Sequence, residues 1–196
     1  APGDTGEIIE EMVRCGAALA QMDTFVGYQL TLPPGSEGLA VKPGMQNTTA
    51  APHCILVDKS GVRYMNEGGS YMAYCYNMLE RNETVPAVPS WAIFDSQYIG
   101  KYMLANTMPG SKKPAEWFEM HYLKKADTVE DLALAINVDP AALRTTVERF
   151  NSFVANNCDA DFHRGDRAYD RWLGDFTHRP SETLGTIDKG PFYAVE

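Results

Sequence analysis

The stretch DTVEDLALAINVDPAALRTTVERFNSFVANN, residues 127–157, limits the possible folds more than any other part of the chain. It holds two helix starts. Thr128 stands before one apolar run. Asp139 stands before the next, with Pro140 at the first helical position. A short polar side chain there accepts a bond from a free backbone N–H, and proline's fixed φ and missing N–H cost nothing at that position. Leu143, Val147, Phe150 and Val154 then recur at helical spacing as one apolar stripe. Such a stripe needs a surface to cover it, and CILV (54–57) and WAIFD (91–95) read as strands that supply one. HCILVDKSGVRYMNE reads as a hairpin, with 54–57 as one arm, Lys59-Ser60-Gly61 as the turn and 62–65 as the return. The two arms and 91–95 are expected to pair, flanked by the helices that start at Ser70, Ser96 and Pro140. The fold class is therefore α+β, with a small mixed or antiparallel sheet and flanking helices.

The remaining elements follow the same signals. Ile8, Ile9, Met12, Val13, Ala17 and Leu19 predict a helix over 5–22, with Glu7, Glu10 and Glu11 in its first turns. Residues 23–52 read as loop, punctuated by proline and glycine. Ser70 caps a helix over 70–81, and Asp95 or Ser96 caps one that runs to 104. A short helix is placed at 116–122. PFYAV at 191–195 is strand-like. Residues 158–180 are aromatic, charged and irregular, and their alternating Asp161, Arg164, Asp166, Arg167, Asp170 and Arg171 suggest a solvated salt-bridge lattice.

Composition excludes more than it names. A net charge of −9 without a lysine or arginine cluster argues against nucleic acid or an anionic membrane as partner. No apolar run is long enough to span a bilayer. The four cysteines and four histidines have no zinc-type spacing, so no metal site is expected, and the thiols read as reduced and mostly buried, as in a cytoplasmic protein. Both ends look cut: the chain opens inside a turn and stops in a strand-like run, so a piece of a longer protein is expected.

Two constellations stand out. PGDTGEII is a glycine turn at a helix start. It either caps the helix, through Asp4 or Thr5, or offers backbone N–H groups to an anionic ring edge or phosphate. GVRYMNEGGSYMAYCYNMLERN, residues 61–82, follows Asn66 and Glu67 with two glycines and then Tyr71, Tyr74 and Tyr76. Three phenols so close either cover a core edge or aim one hydroxyl at a ligand. An unperturbed phenol, with a pKa near ~10, is a poor base at neutral pH unless its phenolate is stabilised.

Together these strings resemble the fumarate reductase/succinate dehydrogenase flavoprotein superfamily. PGDTGEII resembles its Asn/Asp-Thr-Gly-Asp-Gly-Ile turn, and GVRYMNE its Arg-Phe/Tyr-x-Asn-Glu motif. DFHRGDRAYDRW and PFYAV resemble strings that end the capping domain in the 3-ketosteroid dehydrogenase branch. The likeness spans nearly the whole chain. Two departures stand out: Glu7-Ile8 replaces the usual Asp-Gly, and His163 stands where glycine is usual.

The resemblance implies a capping, substrate-binding domain over 23–196, with 1–22 the end of an FAD-domain segment and a linker helix. It implies FAD as cofactor, approached by Thr5, Gly6 and Glu7 but not expected to stay bound to the isolated chain, which lacks a G-x-G-x-x-G motif and is expected to be inactive alone. The partner is then the FAD-binding domain of the same polypeptide. Tyr71 takes the position of the catalytic residue that removes a proton beside the carbon losing hydride. Tyr28, Asn66, Glu67 and Gly69 are the implied substrate-binding residues. Tyr28 falls where fumarate reductases place a carboxylate-binding histidine, so an apolar ketone or steroid-like molecule fits better than a dicarboxylate. The reaction implied introduces or reduces a C–C double bond next to a ketone. The alternatives are the cap of a fumarate- or urocanate-type carboxylate reductase, which a pair of arginines converging on one pocket would favour, and a non-catalytic binding module.

Overall fold

The computed structural model describes residues 5–196. Asp4 lies outside the described residues, so its capping role is not assessed. In chain order the elements are α1 (Glu7–Arg14), α2 (Gln46–Ala50), β1 (Cys54–Val57), α3 (Tyr71–Asn82), β2 (Trp91–Asp95), α4 (Ser96–Lys101), α5 (Ala115–Glu119), β3 (Lys124–Ala126), α6 (Val129–Ala135), α7 (Pro140–Asn156), α8 (Ala168–Leu173) and β4 (Phe192–Val195). The four strands form one antiparallel sheet in the order β1-β2-β4-β3.

The sheet is apolar on both faces because β1, β2 and β4 are apolar at successive positions, and alternate side chains point to opposite sides. Ile55, Val57, Trp91, Ile93, Phe192 and Ala194 pack with Leu143, Val147 and Phe150 of α7 and Leu132 of α6. Cys54, Leu56, Ala92, Phe94 and Val195 pack with Tyr74, Tyr98, Trp117 and Leu123. One face therefore carries the helical pair read from the sequence, and the other carries α3, α4 and α5.

The caps fall where the sequence placed them. Asp139 accepts from Ala142 N at 2.7 Å. Thr128 accepts from Asp131 N at 3.0 Å, Ser70 from Ala73 N at 3.2 Å, and Asp95 from Gln97 N at 2.9 Å. In α7 the fourth buried position is Phe153 rather than Val154, which is half-buried.

Several expectations are corrected. The 62–65 return strand is absent. The turn itself forms, with Gly61 N bonded to Asp58 O at 3.0 Å and Asp58 N to Val62 O at 3.1 Å. Beyond it, Arg63 turns into the interior, and the Leu56 N–H donates to Glu67 Oε1 at 3.1 Å instead of to a strand. A carboxylate thus closes the outer edge of β1, and β2 takes the pairing on the other side. The first helix stops at Arg14 rather than 22. Gly16, at φ 94°, takes the left-handed position, and the Ala17 N–H reaches back to Met12 O at 2.9 Å. Helix α4 ends at Lys101, before a tight turn in which Ala105 and Asn106 have positive φ, and α5 ends at Glu119. Three short elements, α2, β3 and α8, carry too few residues for a period to be read. Residues 23–52 are loop as expected, apart from α2, and an isolated bridge joins Leu30 to Gly44. The four thiols are free, with Cys54 buried and Cys15 and Cys158 exposed, so the reading of mostly buried thiols is wrong for two of them.

His53, at the entry to β1, is buried beside the loop 178–186. Its Nδ1 lies 2.7 Å from Thr186 O, and its ring meets that of His178 edge-on at 5.1 Å. Burial holds its pKa below the usual histidine value, against the Thr186 carbonyl and Asp95, which raise it, while His178 lowers it further. The unfolded imidazole, near ~6.5, therefore takes up a proton before the folded one does, so stability is full above that pH and falls as pH drops below it. We expect the urea midpoint to fall between pH 7 and pH 5.5, and His53→Asn to flatten that fall, since asparagine tolerates the φ of 66° at this position. Equal slopes in the two proteins would remove His53 from the account.

Candidate active site

The support for the site is a buried ionic cluster. Arg63 donates to Glu67 through Nε (2.8 Å) and Nη2 (2.7 Å), and to Asp159 through Nη2 (2.9 Å). Arg164, 1% exposed, reaches Glu67 Oε2 at 3.2 Å and the carbonyls of Ala51 and Cys54 at 2.7 and 2.8 Å. Burial pushes the Glu67 carboxyl up, but Arg63 and Arg164 outweigh it and hold the group below the usual carboxylate range. Two of the six residues of the expected solvated lattice are therefore interior: Arg164 and Asp170 are buried, as is the neighbouring Asp159, while Asp161, Asp166, Arg167 and Arg171 stay outside. His163, at φ 57°, takes a left-handed conformation that suits glycine, and it pairs at the surface with Asp166 at 3.3 Å.

This cluster fixes the turn that starts α3. Asn66 Oδ1 accepts from Gly68 N at 2.8 Å, and Asn66 Nδ2 donates to Asp170 Oδ2 at 2.9 Å. A Cβ on Gly68 would lie 3.3 Å from Asp170 Cβ, and one on Gly69 3.3 Å from Asn66 O, so the two glycines let the turn close against α8. Two residues implied as substrate contacts make internal bonds here. Glu67 is fully buried and consumed by two arginines and a backbone N–H, and the Asn66 carboxamide is spent on the turn. Both hold the turn. Gly69 is buried, and its N–H is bonded to Asn66 O at 3.2 Å.

Tyr71 is the first residue of α3 and is 37% exposed. Its ring lies 6.1 Å from that of Tyr28, tilted by 51°. Tyr28 occupies this place because Gly44 has no side chain: a Cβ there would meet Tyr28 Cε1 at 2.2 Å. The fold thus brings together two phenols 43 positions apart in the chain. The other tyrosines of the run differ. Tyr74 is 1% exposed and hydrogen-bonded to Thr49, so its hydroxyl is held inside the fold. Tyr76 is partly exposed, and its hydroxyl accepts from Phe25 N at 3.1 Å. Near Gly44 an open groove of about 590 Å³ is lined by Tyr102, Met103, Asn106, Trp172 and Phe176, among others, and Trp172 and Phe176 are largely exposed.

The Thr5–Gly6–Glu7 turn stands apart. Among the described residues no hydrogen bond or ion pair links it to Tyr71, and α1 buries none of its residues. Gly6, at φ 85°, is the N-cap and has no side chain to cap the helix, and the Ile9 N–H is bonded to Gly6 O at 2.9 Å. The Thr5 hydroxyl, and then the Glu7 backbone N–H, hold the Glu7 carboxyl below its usual pKa. An ionised carboxylate at the turn repels a diphosphate but suits a ring N–H or a hydroxyl. These residues therefore fit an edge of FAD and not its phosphates. Among the described residues, no group of three or more acidic, histidine or cysteine side chains could hold a metal ion, and no helix is long and apolar enough to cross a membrane.

Comparison with known proteins gives a consistent answer. The family model described as FAD binding domain matches residues 1–196. The chain is 37% identical, over all of its length and 34% of the relative's, to a 3-oxosteroid 1-dehydrogenase of Mycolicibacterium smegmatis. It is 35% identical, over 74% of its length and 25% of the relative's, to a 4-oxocyclohex-2-ene-1-carboxylate 5-dehydrogenase of Sinomonas cyclohexanicum. Its fold matches, with a TM-score of 0.88, 31% identity, and coverage of 100% of this chain and 35% of the other, the crystal structure of 3-ketosteroid delta1-dehydrogenase from Sterolibacterium denitrificans in complex with 1,4-androstadiene-3,17-dione. The chain spans about a third of the length of the full-chain relative and structure.

Proposed function

This chain belongs to the FAD binding domain family and its cofactor is FAD, and from that premise we propose that it forms the substrate-binding cap of an oxidoreductase that introduces or reduces a C–C double bond next to a ketone, of the 3-ketosteroid dehydrogenase kind. In this reading residues 23–196 are the cap, 1–22 join it to the FAD-binding remainder of the same polypeptide, and the cap alone is inactive. The observation that carries the proposal is Tyr71: a phenol at the start of a helix, beside a second phenol, half-exposed and clamped from behind by a buried ionic cluster.

The chemistry follows from the ketone. Its carbonyl acidifies the neighbouring C–H, so the proton can leave to the Tyr71 oxygen, once that oxygen has given up its own proton, while the electron pair forms the double bond and hydride departs from the adjacent carbon. FAD, when bound, supplies the acceptor for that hydride. Tyr71 is the first residue of α3, and the helix N-terminus favours negative charge on its oxygen. In the reductase direction the same oxygen returns the proton.

A dicarboxylate substrate is disfavoured. The one pair of arginines converging within the described cluster, Arg63 and Arg164, closes on Glu67 and not on an open pocket. The test is a paired assay of the full-length enzyme with an artificial electron acceptor or donor. Turnover is expected with a neutral cyclic 3-ketone or its enone, and none with fumarate. Turnover of fumarate alone would replace the ketone reading with the carboxylate-reductase one.

A further inference from the structure

Lys113 is a buried cation without a counter-charge. It is 6% exposed, in the loop 108–114, which folds back on the end of α4 through the Gly110 N–H, bonded to Ile99 O at 2.9 Å. Its ammonium donates to Met108 O at 3.0 Å. That carbonyl also takes the Ser111 N–H at 3.3 Å and the Ser111 hydroxyl at 2.6 Å. An ammonium has three donors and a carbonyl oxygen two lone pairs, so Lys113 keeps only a share in one crowded acceptor. Among the described residues the lysines in ion pairs are Lys59 and Lys101, and Lys113 is not one of them. Burial pulls its pKa below the usual lysine value, and no carboxylate offsets it.

Lys113 lines an open groove of about 300 Å³, together with Lys112, an apolar wall of Ile99, Ala115 and Phe118, and Tyr193 of β4. Tyr193 is held by stacking on Phe94, with ring centroids 6.0 Å apart and planes 12° from parallel. Among the described residues its hydroxyl has no hydrogen bond, and burial alone raises its pKa. Lys125 is the cross-strand neighbour of Tyr193, so the two side chains share one face of the sheet. The acids of α5, Glu116 and Glu119, are exposed. In a chain of net charge −9 this is a local excess of positive charge. The groove shares no lining residue with the one near Gly44, and neither Tyr28 nor Tyr71 belongs to it.

We infer that this groove is a second ligand site, which binds a small cyclic monocarboxylate with its carboxylate on Lys113 and the Tyr193 hydroxyl and its ring against Ile99 and Phe118. The inference does not rest on the reading of Tyr71. A carboxylate satisfies the open donors of the ammonium and neutralises it, whereas a neutral ring leaves a buried charge unpaired. At ~30 Å³ per water-sized group the groove has room for roughly ten heavy atoms, about the size of benzoate.

The test is a calorimetric titration of benzoate into the full-length, FAD-loaded enzyme at low salt, where charge pairing is least screened. Saturable binding is expected. Benzamide, the neutral analogue, and acetate, which lacks the ring, should each bind at least about tenfold more weakly. Lys113→Met should weaken benzoate at least about tenfold, and Tyr193→Phe, which keeps the ring on Phe94, about tenfold. Ketone turnover should stay at the wild-type rate in both variants. The urea midpoint of Lys113→Met should hold or rise, because an unpaired buried charge is removed. Equal benzoate affinity in Lys113→Met, equal affinity for benzamide, or release of benzoate by the ketone would each overturn the inference. So would an absence of saturable binding, and Lys113 would then answer to a carboxylate elsewhere in the longer polypeptide. If Lys113→Met unfolds at lower urea, Tyr193→Phe decides: unchanged affinity in that variant sinks the site.

Discussion

Tyr71→Phe in the full-length enzyme is expected to lower kcat by about 10²–10⁴-fold, the usual loss when an acid–base group is removed. The loss should fall on kcat and kcat/KM alike, because the proton moves in the transition state and not on binding. The fold should be indifferent. The Tyr71 ring is 37% exposed, the substitution keeps it, and no hydrogen bond from its hydroxyl is seen among the described residues. The neighbouring tyrosines give a graded control. Tyr76→Phe removes one surface bond, to Phe25 N. Tyr74→Phe strips a buried hydroxyl from Thr49 and should cost about 1 kcal/mol of stability, with no effect on chemistry. A Tyr71→Phe enzyme turning over at the wild-type rate would return Tyr71 to the packing role that its neighbours play.

The largest stability effect is expected from Glu67→Ala. Glu67 is the carboxylate on which Arg63 and Arg164 converge, and it also caps the outer edge of β1 through Leu56 N. Its side chain is fully buried, as is that of Arg164, and Arg63 is nearly so. Removing one partner from a buried ion pair costs about 3–5 kcal/mol, because the remaining charge stays dry and unpaired. Against a total of ~5–15 kcal/mol for a typical domain, that is about a fifth or more. With a urea slope of ~2–3 kcal/mol/M, the midpoint should drop by more than ~1 M. The comparison is Arg149→Ala, which breaks the surface pair with Asp161 and should leave the midpoint in place. Equal shifts in the two variants would mean that the buried cluster carries no more weight than a surface pair. Loss of Glu67 should also slow turnover, since Tyr71 begins four positions beyond it, but by less than Tyr71→Phe.

Much of the local structure was legible in the sequence because local chemistry decides it. Asp139-Pro140, Thr128, Ser70 and Asp95 start their helices with their own side chains, and no distant residue is needed. The strands 54–57 and 91–95 are apolar at successive positions, which announces burial on both faces. The resemblance carried by GVRYMNE, DFHRGDRAYDRW and PFYAV led to the FAD family and to Tyr71 as the residue to question.

What the sequence misread was decided across long separations. Lys59-Ser60-Gly61 is a sound hairpin turn, yet no hairpin follows, because Arg63 finds Asp159, 96 positions away, and Glu67 finds Arg164, 97 positions away. An alternating charge string reads as a wet surface whatever its fate, and only the contacts of Arg164 with Ala51, Cys54 and Glu67 and of Asp170 with the Asn66 turn make the two interior. Tyr28 lies in a stretch without period, and nothing nearby points it at Tyr71. The missing side chain of Gly44 and the Leu30–Gly44 bridge do that. The chain alone thus determined its caps, its strands 54–57 and 91–95 and the family to which its phenol belongs. The tertiary structure decided which charges are dry and which phenols meet, because burial and long-range pairing depend on what the rest of the chain places opposite each residue.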